Sequence, residues 1–286
     1  MMAVEARPRM ARRAVAASRI EGTAAALAHC EVCVQRCGVD RRRGPAGICG
    51  AARAPRIFSA QVEVGDELEL IPTFAIALSG CNIRCAFCIT GDESWHAARG
   101  TAIGTEELAA QATRALESGA AKTILILGGE PTIHLPWLVE FVVLLPEDAR
   151  VVLKTNGLST AAGREWLDGL FDVWLVDYKF GGDRCAMELS HTPGYRAAVE
   201  ETLIWASAHA DLIVRHLLMP GHVGCCWKPI AAWLAEHLPE AKMSLRFGYW
   251  PAWKAERMPG LNRPISYAEQ AEALAVARHF GLHLIR

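Results

Sequence analysis

Six short apolar runs constrain the fold of this chain more than any other feature. They lie at residues 74–78, 123–127, 150–154, 173–179, 212–219 and 242–247, are rich in β-branched residues, and end in polar or glycine residues. Each is followed by a helical pattern, at 105–118, 135–145, 162–170, 195–209, 229–238 and 267–280, the first opened by Thr105 with Glu106 and Glu107 in its first turn. Alternation of helices with continuously apolar strands predicts a parallel sheet covered by helices. In such α/β folds the carboxyl ends of the strands form the active-site rim. Here those ends read Ser79-Gly80-Cys81, Gly128-Gly129-Glu130, Lys154-Thr155-Asn156-Gly157, Asp177-Tyr178-Lys179 and Met219-Pro220-Gly221.

Residues 1–60 lack this alternation and predict an extension in two parts. A basic, flexible arm is expected over residues 1–27 and a Cys-rich metal-binding segment over 28–60, ahead of an α/β body at 61–286. The extension carries 11 Arg, no Lys and four acidic residues, a net +7, within a chain of net charge −1. That overall balance argues against a surface built to hold nucleic acid. Arg7, Arg9, Arg12, Arg13 and Arg19 interrupt the leading apolar stretch, so it does not read as a secretory signal. No run is long enough to cross a membrane. The expected setting is a reducing cytoplasm, with an organelle transit leader as the minor alternative. There clustered thiols are metal ligands or reactive groups more often than disulfides.

Seven of the 10 cysteines fall between Cys30 and Cys88. The sharpest pattern is Cys81-Asn-Ile-Arg-Cys85-Ala-Phe-Cys88, directly after a strand. Three thiolates so placed can hold three irons of a [4Fe–4S] cube and leave one open, whereas a purely electron-carrying cluster uses four. A zinc knuckle completed by a distant His is the competing reading. The spacing, Phe87 before the third Cys, and Gly128-Gly129-Glu130-Pro131 at the next strand end together resemble the radical S-adenosylmethionine (SAM) superfamily. Leu153-Lys154-Thr155-Asn156-Gly157, Asp177-Tyr178-Lys179 and Val214-Arg215-His216 narrow the likeness to the pyruvate formate-lyase activating enzyme-like group. The Cys30 segment, His134-Leu-Pro and Tyr249-Trp-Pro251-Ala-Trp-Lys254 bring it to the PflX-type branch.

That resemblance implies a partial (β/α)6 TIM-like barrel with an N-terminal Cys-rich extension. It implies a [4Fe–4S] cluster on Cys81, Cys85 and Cys88, and SAM held by Phe87, Gly128, Gly129, Glu130, Lys154, Thr155, Asp177, Lys179 and Arg215. One electron from a flavodoxin or ferredoxin then cleaves SAM to a 5′-deoxyadenosyl radical, which takes a hydrogen atom from the substrate. In the activating branch the substrate is a glycine Cα of a partner enzyme. A peptide or small metabolite is the alternative, and a non-catalytic iron–sulfur or zinc module is a distant one. The branch has Asp at the position of Lys154, where it helps bind a monovalent cation. The Lys154 ammonium is expected either to stand in for that cation or to point to solvent.

Cys30, Cys33, Cys37 and Cys49 have the spacing of a structural zinc site or of an auxiliary iron–sulfur cluster, with a structural metal favoured by the tight turns at Gly38, Gly44 and Gly47. Cys225 and Cys226 are adjacent, which argues against chelation of one ion by both. They are candidates for a substrate-facing thiol and hydrogen-atom donor, against the plainer reading of buried packing. Cys185 falls in the loop after Lys179 on this reading. Trp137, Trp166, Trp205 and Trp233 fall on helical segments and read as packing rather than base-stacking platforms.

Overall fold

The computed structural model describes residues 11–65 and 67–285. The chain opens with helix α1 (Arg12–Ala26), followed by short 3-10 turns through the cysteine segment. Then come β1 (Ile57–Glu63), β2 (Thr73–Leu78), α2 (Asp92–Trp95), α3 (Thr105–Glu117), β3 (Thr123–Gly128), α4 (Leu135–Leu144), β4 (Val151–Thr155) and α5 (Ala161–Glu165). The remainder is β5 (Val173–Asp177), α6 (Asp183–Ser190), α7 (Tyr195–His209), β6 (Asp211–Leu217), α8 (Lys228–His237), β7 (Lys242–Arg246) and α9 (Tyr267–His279). The seven strands form one sheet in sequential order, with β2 to β7 parallel and β1 antiparallel on the edge of β2.

All six predicted strands are present, and they curve into a partial barrel that does not close by backbone pairing. The outer edge of β7 is bonded by backbone to His283 and Ile285, and β7 reaches the segment between β1 and β2 through Gly65, Glu67 and Glu69. Lys242 Nζ lies 2.8 Å from Glu69, Ser244 Oγ donates to Glu67 Oε1 at 2.8 Å, and Arg246 donates to the Gly65 carbonyl.

Two parts of the extension differ from expectation. The edge strand β1 runs from 57 to 63, so the expected boundary at 60/61 cuts through it. Its pattern is hard to read because only Ile57 is buried and its register with β2 is broken between Ile57 and Ser59. From Arg12 to Ala26 the expected flexible arm is a helix docked on α4; residues 1–10 of that arm lie outside the described residues. The helix buries Ala16 and Thr23 and sets Val15 and Ile20 half-buried against the core, a short stripe made largely of small residues. Its arginines fasten it further. Arg12 pairs with both oxygens of Asp172 and donates to the Ala149 carbonyl, Arg13 donates to the Val143 carbonyl, and Arg19 to the carbonyls of Trp166 and Asp168. Gly22 permits the fit, since a Cβ there would stand 2.3 Å from the Trp166 ring.

Candidate active site

A strand turns successive side chains to opposite faces, and that period places the site. Ala75, Leu125, Val152, Leu175 and Ile213 point into the barrel and fill its floor with Leu70 and Val173. Two residues further along the same strands, the inward positions are Ala77, Leu127, Lys154, Asp177 and Arg215. These line a cavity of about 640 Å³ at the carboxyl ends of the strands, within the roughly 300–1,000 Å³ span of small-molecule sites.

Cys81, Cys85 and Cys88 also line this cavity, from the loop after β2. Cys81 and Cys85 are buried and Cys88 is half-buried. The loop is pinned from both sides: Ala86 N–H donates to the Leu189 carbonyl at the end of α6, and the Ala86 carbonyl accepts from Ala255 N–H. Phe87 packs edge-on against Phe180 and tilted against Tyr249. Burial pushes the Cys81 thiol up and the Cys85 thiol to about 12, and the Lys179 charge works against the second shift. A sulfur-only donor set at the edge of an open cavity fits an iron–sulfur cube, whose binding would remove those thiol protons.

Another part of the lining is charged. Lys179 Nζ lies 2.6 Å from Asp177 Oδ2, and Arg215 Nε lies 4.0 Å from Asp177 Oδ1 and 3.6 Å from Glu67 Oε1. Burial would raise the Asp177 carboxyl, but Lys179, Arg215 and Lys154 together hold it below its usual range. Burial would lower the Lys179 ammonium, and the Asp177 carboxylate outweighs that and raises it. Asp177 and Lys179 are therefore a fixed zwitterion at neutral pH.

Glu130 lines the cavity, but its carboxylate is occupied by the protein. Oε1 accepts from Thr132 N–H, Thr132 Oγ1 and Thr155 Oγ1, and Oε2 accepts from Asn156 N–H at 2.7 Å. It thereby ties the end of β3 to the end of β4. Burial raises its pKa in spite of those bonds. Gly128 and Gly129 also answer to the protein first. A Cβ on Gly128 would stand 2.2 Å from Leu78 N, and one on Gly129 would stand 2.0 Å from the Gly80 carbonyl. The glycines are there so that the β3 end can lie against the cysteine loop.

All nine residues expected around SAM, together with the three loop cysteines, line this one cavity. Asn156 belongs to the Leu153-Lys154-Thr155-Asn156-Gly157 motif, and spacing alone assigns it no role. It lines the cavity and donates to Asn82 Oδ1 at 2.8 Å, with Cys81 Sγ at 3.8 Å. Trp250 and Ile89 flank the cavity and are strongly exposed, at 67% and 79%.

Cys30, Cys33, Cys37 and Cys49 converge on a separate void of about 10 Å³. Burial pushes the Cys33 thiol up to about 11. Buried Arg41 borders the void, donating to the carbonyls of Ala51, Ile133 and Ala52, with Cys30 Sγ at 3.6 Å. None of these partners of Arg41 is a carboxylate. A buried cation in such company is costly, and metal-bound thiolates would supply the missing negative charge. The segment is joined to the cysteine loop by Gln35, whose Nε2 donates to the Asn82 carbonyl at 2.9 Å.

Cys225 and Cys226 are not among the residues that line this cavity. They lie on a turn of π-helix, Val223–Trp227, with Cys225 exposed and Cys226 buried. Cys185 sits in the first turn of α6 rather than in a loop. Trp137 stacks on Phe141, Trp205 on His209 and Trp233 on His237, which is packing as expected.

The family model of the Radical SAM superfamily matches residues 76–233. Protein MJ0674 of Methanocaldococcus jannaschii is 30% identical over 264 residues, which cover 90% of this chain and 76% of that one. A 7-carboxy-7-deazaguanine synthase of Aquifex aeolicus is 36% identical over 89 residues, 30% of this chain and 37% of the synthase. Among solved structures, a radical SAM methyltransferase from Sphaerobacter thermophilus aligns with a TM-score of 0.51 at 18% identity, covering 73% of this chain and 64% of the methyltransferase. Streptococcus suis SuiB bound to S-adenosylmethionine aligns with a TM-score of 0.51 at 11% identity over 71% of this chain. The aligned part is 47% of SuiB, so the chain spans about half the length of that protein.

Proposed function

The chain belongs to the radical SAM superfamily, and on that premise we propose that it is an activating-type enzyme that takes a hydrogen atom from a glycine Cα of a partner protein. As in its superfamily, its cofactors are a [4Fe–4S] cluster and SAM, which when bound supply reductive cleavage to a 5′-deoxyadenosyl radical. The residue assignments rest on one observation: the three thiols of Cys81, Cys85 and Cys88 line the same cavity as Lys154, Asp177, Lys179 and Arg215.

Cys81, Cys85 and Cys88 hold the cluster. Lys154, Lys179 and Arg215 orient the SAM carboxylate, and Asp177, kept ionised by its cationic neighbours, accepts from the SAM amino group. Gly128 and Gly129 keep the backbone close on one side, and Phe87 closes the apolar side. Glu130 acts as a positioning residue, because its carboxylate is consumed by Thr132, Thr155 and Asn156. Water is kept out from below by the apolar floor around Leu125 and Ile213.

A macromolecular substrate is supported by the exposed apolar flank at Ile89 and Trp250, since large exposed apolar side chains at a cavity mouth suit a protein or peptide more than a small polar metabolite. A flavodoxin or ferredoxin fits the need for a one-electron donor. The test is anaerobic reconstitution with iron and sulfide, then SAM and dithionite. The wild type is expected to form 5′-deoxyadenosine and Cys85→Ala none. With a glycyl radical enzyme from the same genome, a glycyl radical signal is expected by electron paramagnetic resonance. 5′-Deoxyadenosine without that signal, but with turnover of a peptide or metabolite, would move the substrate class and leave the cofactor chemistry in place.

A further inference from the structure

Outside the cavity, Cys185, His222, Cys225 and Cys226 bring four ligand atoms to within 4.8 Å of one another. His222 Nδ1 is 3.3 Å from Cys225 Sγ and 3.5 Å from Cys226 Sγ. A tetrahedral zinc ion with Zn–S of about 2.3 Å and Zn–N of about 2.0 Å has ligand-to-ligand edges of about 3.5–3.8 Å. The ligand spacing is therefore close to that of a closed metal site before any ion enters. We propose that these four side chains bind one tetrahedral divalent ion, zinc by its affinity for three thiolates and an imidazole.

The local backbone explains how adjacent cysteines come to share an ion. His222, Cys225 and Cys226 stand at i, i+3 and i+4 of a helical turn, positions that project to one face. The amides of Cys226 and Trp227 both donate to the His222 carbonyl, at 3.0 and 3.1 Å, which widens the turn to π geometry. Such turns are frequent at functional sites. Cys185 arrives from α6 because Gly181, just ahead of that helix, lies directly on Cys226: a Cβ on Gly181 would stand 2.2 Å from the Cys226 carbonyl oxygen.

The ion would join α6 to the turn that follows β6. The other end of α6 accepts the Ala86 amide through Leu189, so the same short helix runs from the metal site to the cysteine loop. The site is independent of the proposed reaction, and its test needs no SAM.

The full-length protein is loaded with Zn²⁺ by equilibrium dialysis, and bound metal is measured by inductively coupled plasma mass spectrometry. Cys225→Ser and His222→Gln are each expected to bind one zinc fewer per chain than the wild type, with unchanged circular dichroism. A second measurement uses the wild type alone. Its cysteines are alkylated with iodoacetamide before and after treatment with a zinc chelator, and the labelled positions are read by mass spectrometry. Cys185, Cys225 and Cys226 are expected to label together and only after chelation. Equal labelling of exposed Cys225 in zinc-loaded and chelated protein, or full zinc content in both variants, would overturn the site.

Discussion

Lys154 lines the cavity and contributes to holding the Asp177 carboxylate ionised. If its ammonium does the work of a bound monovalent cation, formation of 5′-deoxyadenosine should change less than about twofold among sodium, potassium and tetramethylammonium buffers. Lys154→Asp should introduce a dependence on sodium or potassium. A strong cation requirement in the wild type would refute this role. His134 offers a second test at the same scale. Burial, helped by the Arg41 charge, lowers its pKa to about 3, and its Nε2 donates to the Ser79 carbonyl at 2.9 Å. The unfolded chain protonates this imidazole below about pH 6.5, whereas the native one stays neutral down to about 3. Between those limits the unfolded state holds the extra proton, so stability falls as pH falls, by up to about 1.4 kcal/mol per pH unit. His134→Gln keeps a donor for Ser79 and should make the urea midpoint less steep between pH 6 and 4.5. Equal slopes would mean that the ring titrates normally.

At the scale of elements, the close contacts of Gly129 fix how β3 meets the cysteine loop. Gly129→Ala should lower the thermal midpoint by more than about 5 °C, because overpacking against backbone costs about 1–3 kcal/mol or more. Gly224→Ala, with no atom within 4 Å of the added Cβ, should be silent. The Cys30 segment forms a second testable unit. Its void of about 10 Å³ has room for about one water-sized sphere, which suits a single ion better than a four-iron cube. Protein carrying Cys81→Ala, Cys85→Ala and Cys88→Ala should therefore retain zinc and no iron, and should lose one zinc when Cys33→Ser is added. Residual iron and sulfide would refute the structural-metal reading. The strands were legible because buried parallel strands are continuous apolar runs, and the site was legible because its residues sit at the ends of those runs. Helix α1 was not, since its inward stripe of Ala16, Ile20 and Thr23 is short and weakly apolar, and much of its docking is through arginine-to-carbonyl bonds. The relation of Cys185 to His222, Cys225 and Cys226 was not legible either. It depends on a π-turn and on the approach of Gly181, neither of which has a spacing signature.

Across the whole molecule the charge asymmetry acquires a structural use. The +7 extension is held to the body by its own arginines, including Arg12 to Asp172 and Arg53 to Glu140. Asp172 precedes β5 and accepts from the Val151 amide at the start of β4, so Arg12 binds at the base of the barrel, while the cysteine segment reaches the rim beside Asn82. Helix α1 spans that height, about 22 Å for 15 residues. Arg12→Ala should lower the thermal midpoint by a few degrees, given about 1.5–3 kcal/mol for hydrogen bonds to a charged partner. Iron content and SAM cleavage should be unchanged, because the base of such a barrel serves stability. The gap beyond β7 has a different bearing on the cavity. Where strands pair by backbone, the circumference of the wall is indifferent to the buffer. Beyond β7 the outer edge is bonded by backbone to His283 and Ile285, and the reach to the segment between β1 and β2 is made by a half-buried lysine–glutamate contact and by buried Glu67, which also meets Arg215. Salt screens the part-exposed first contact and scarcely touches the second, so the shape around Arg215 is kept as ionic strength changes.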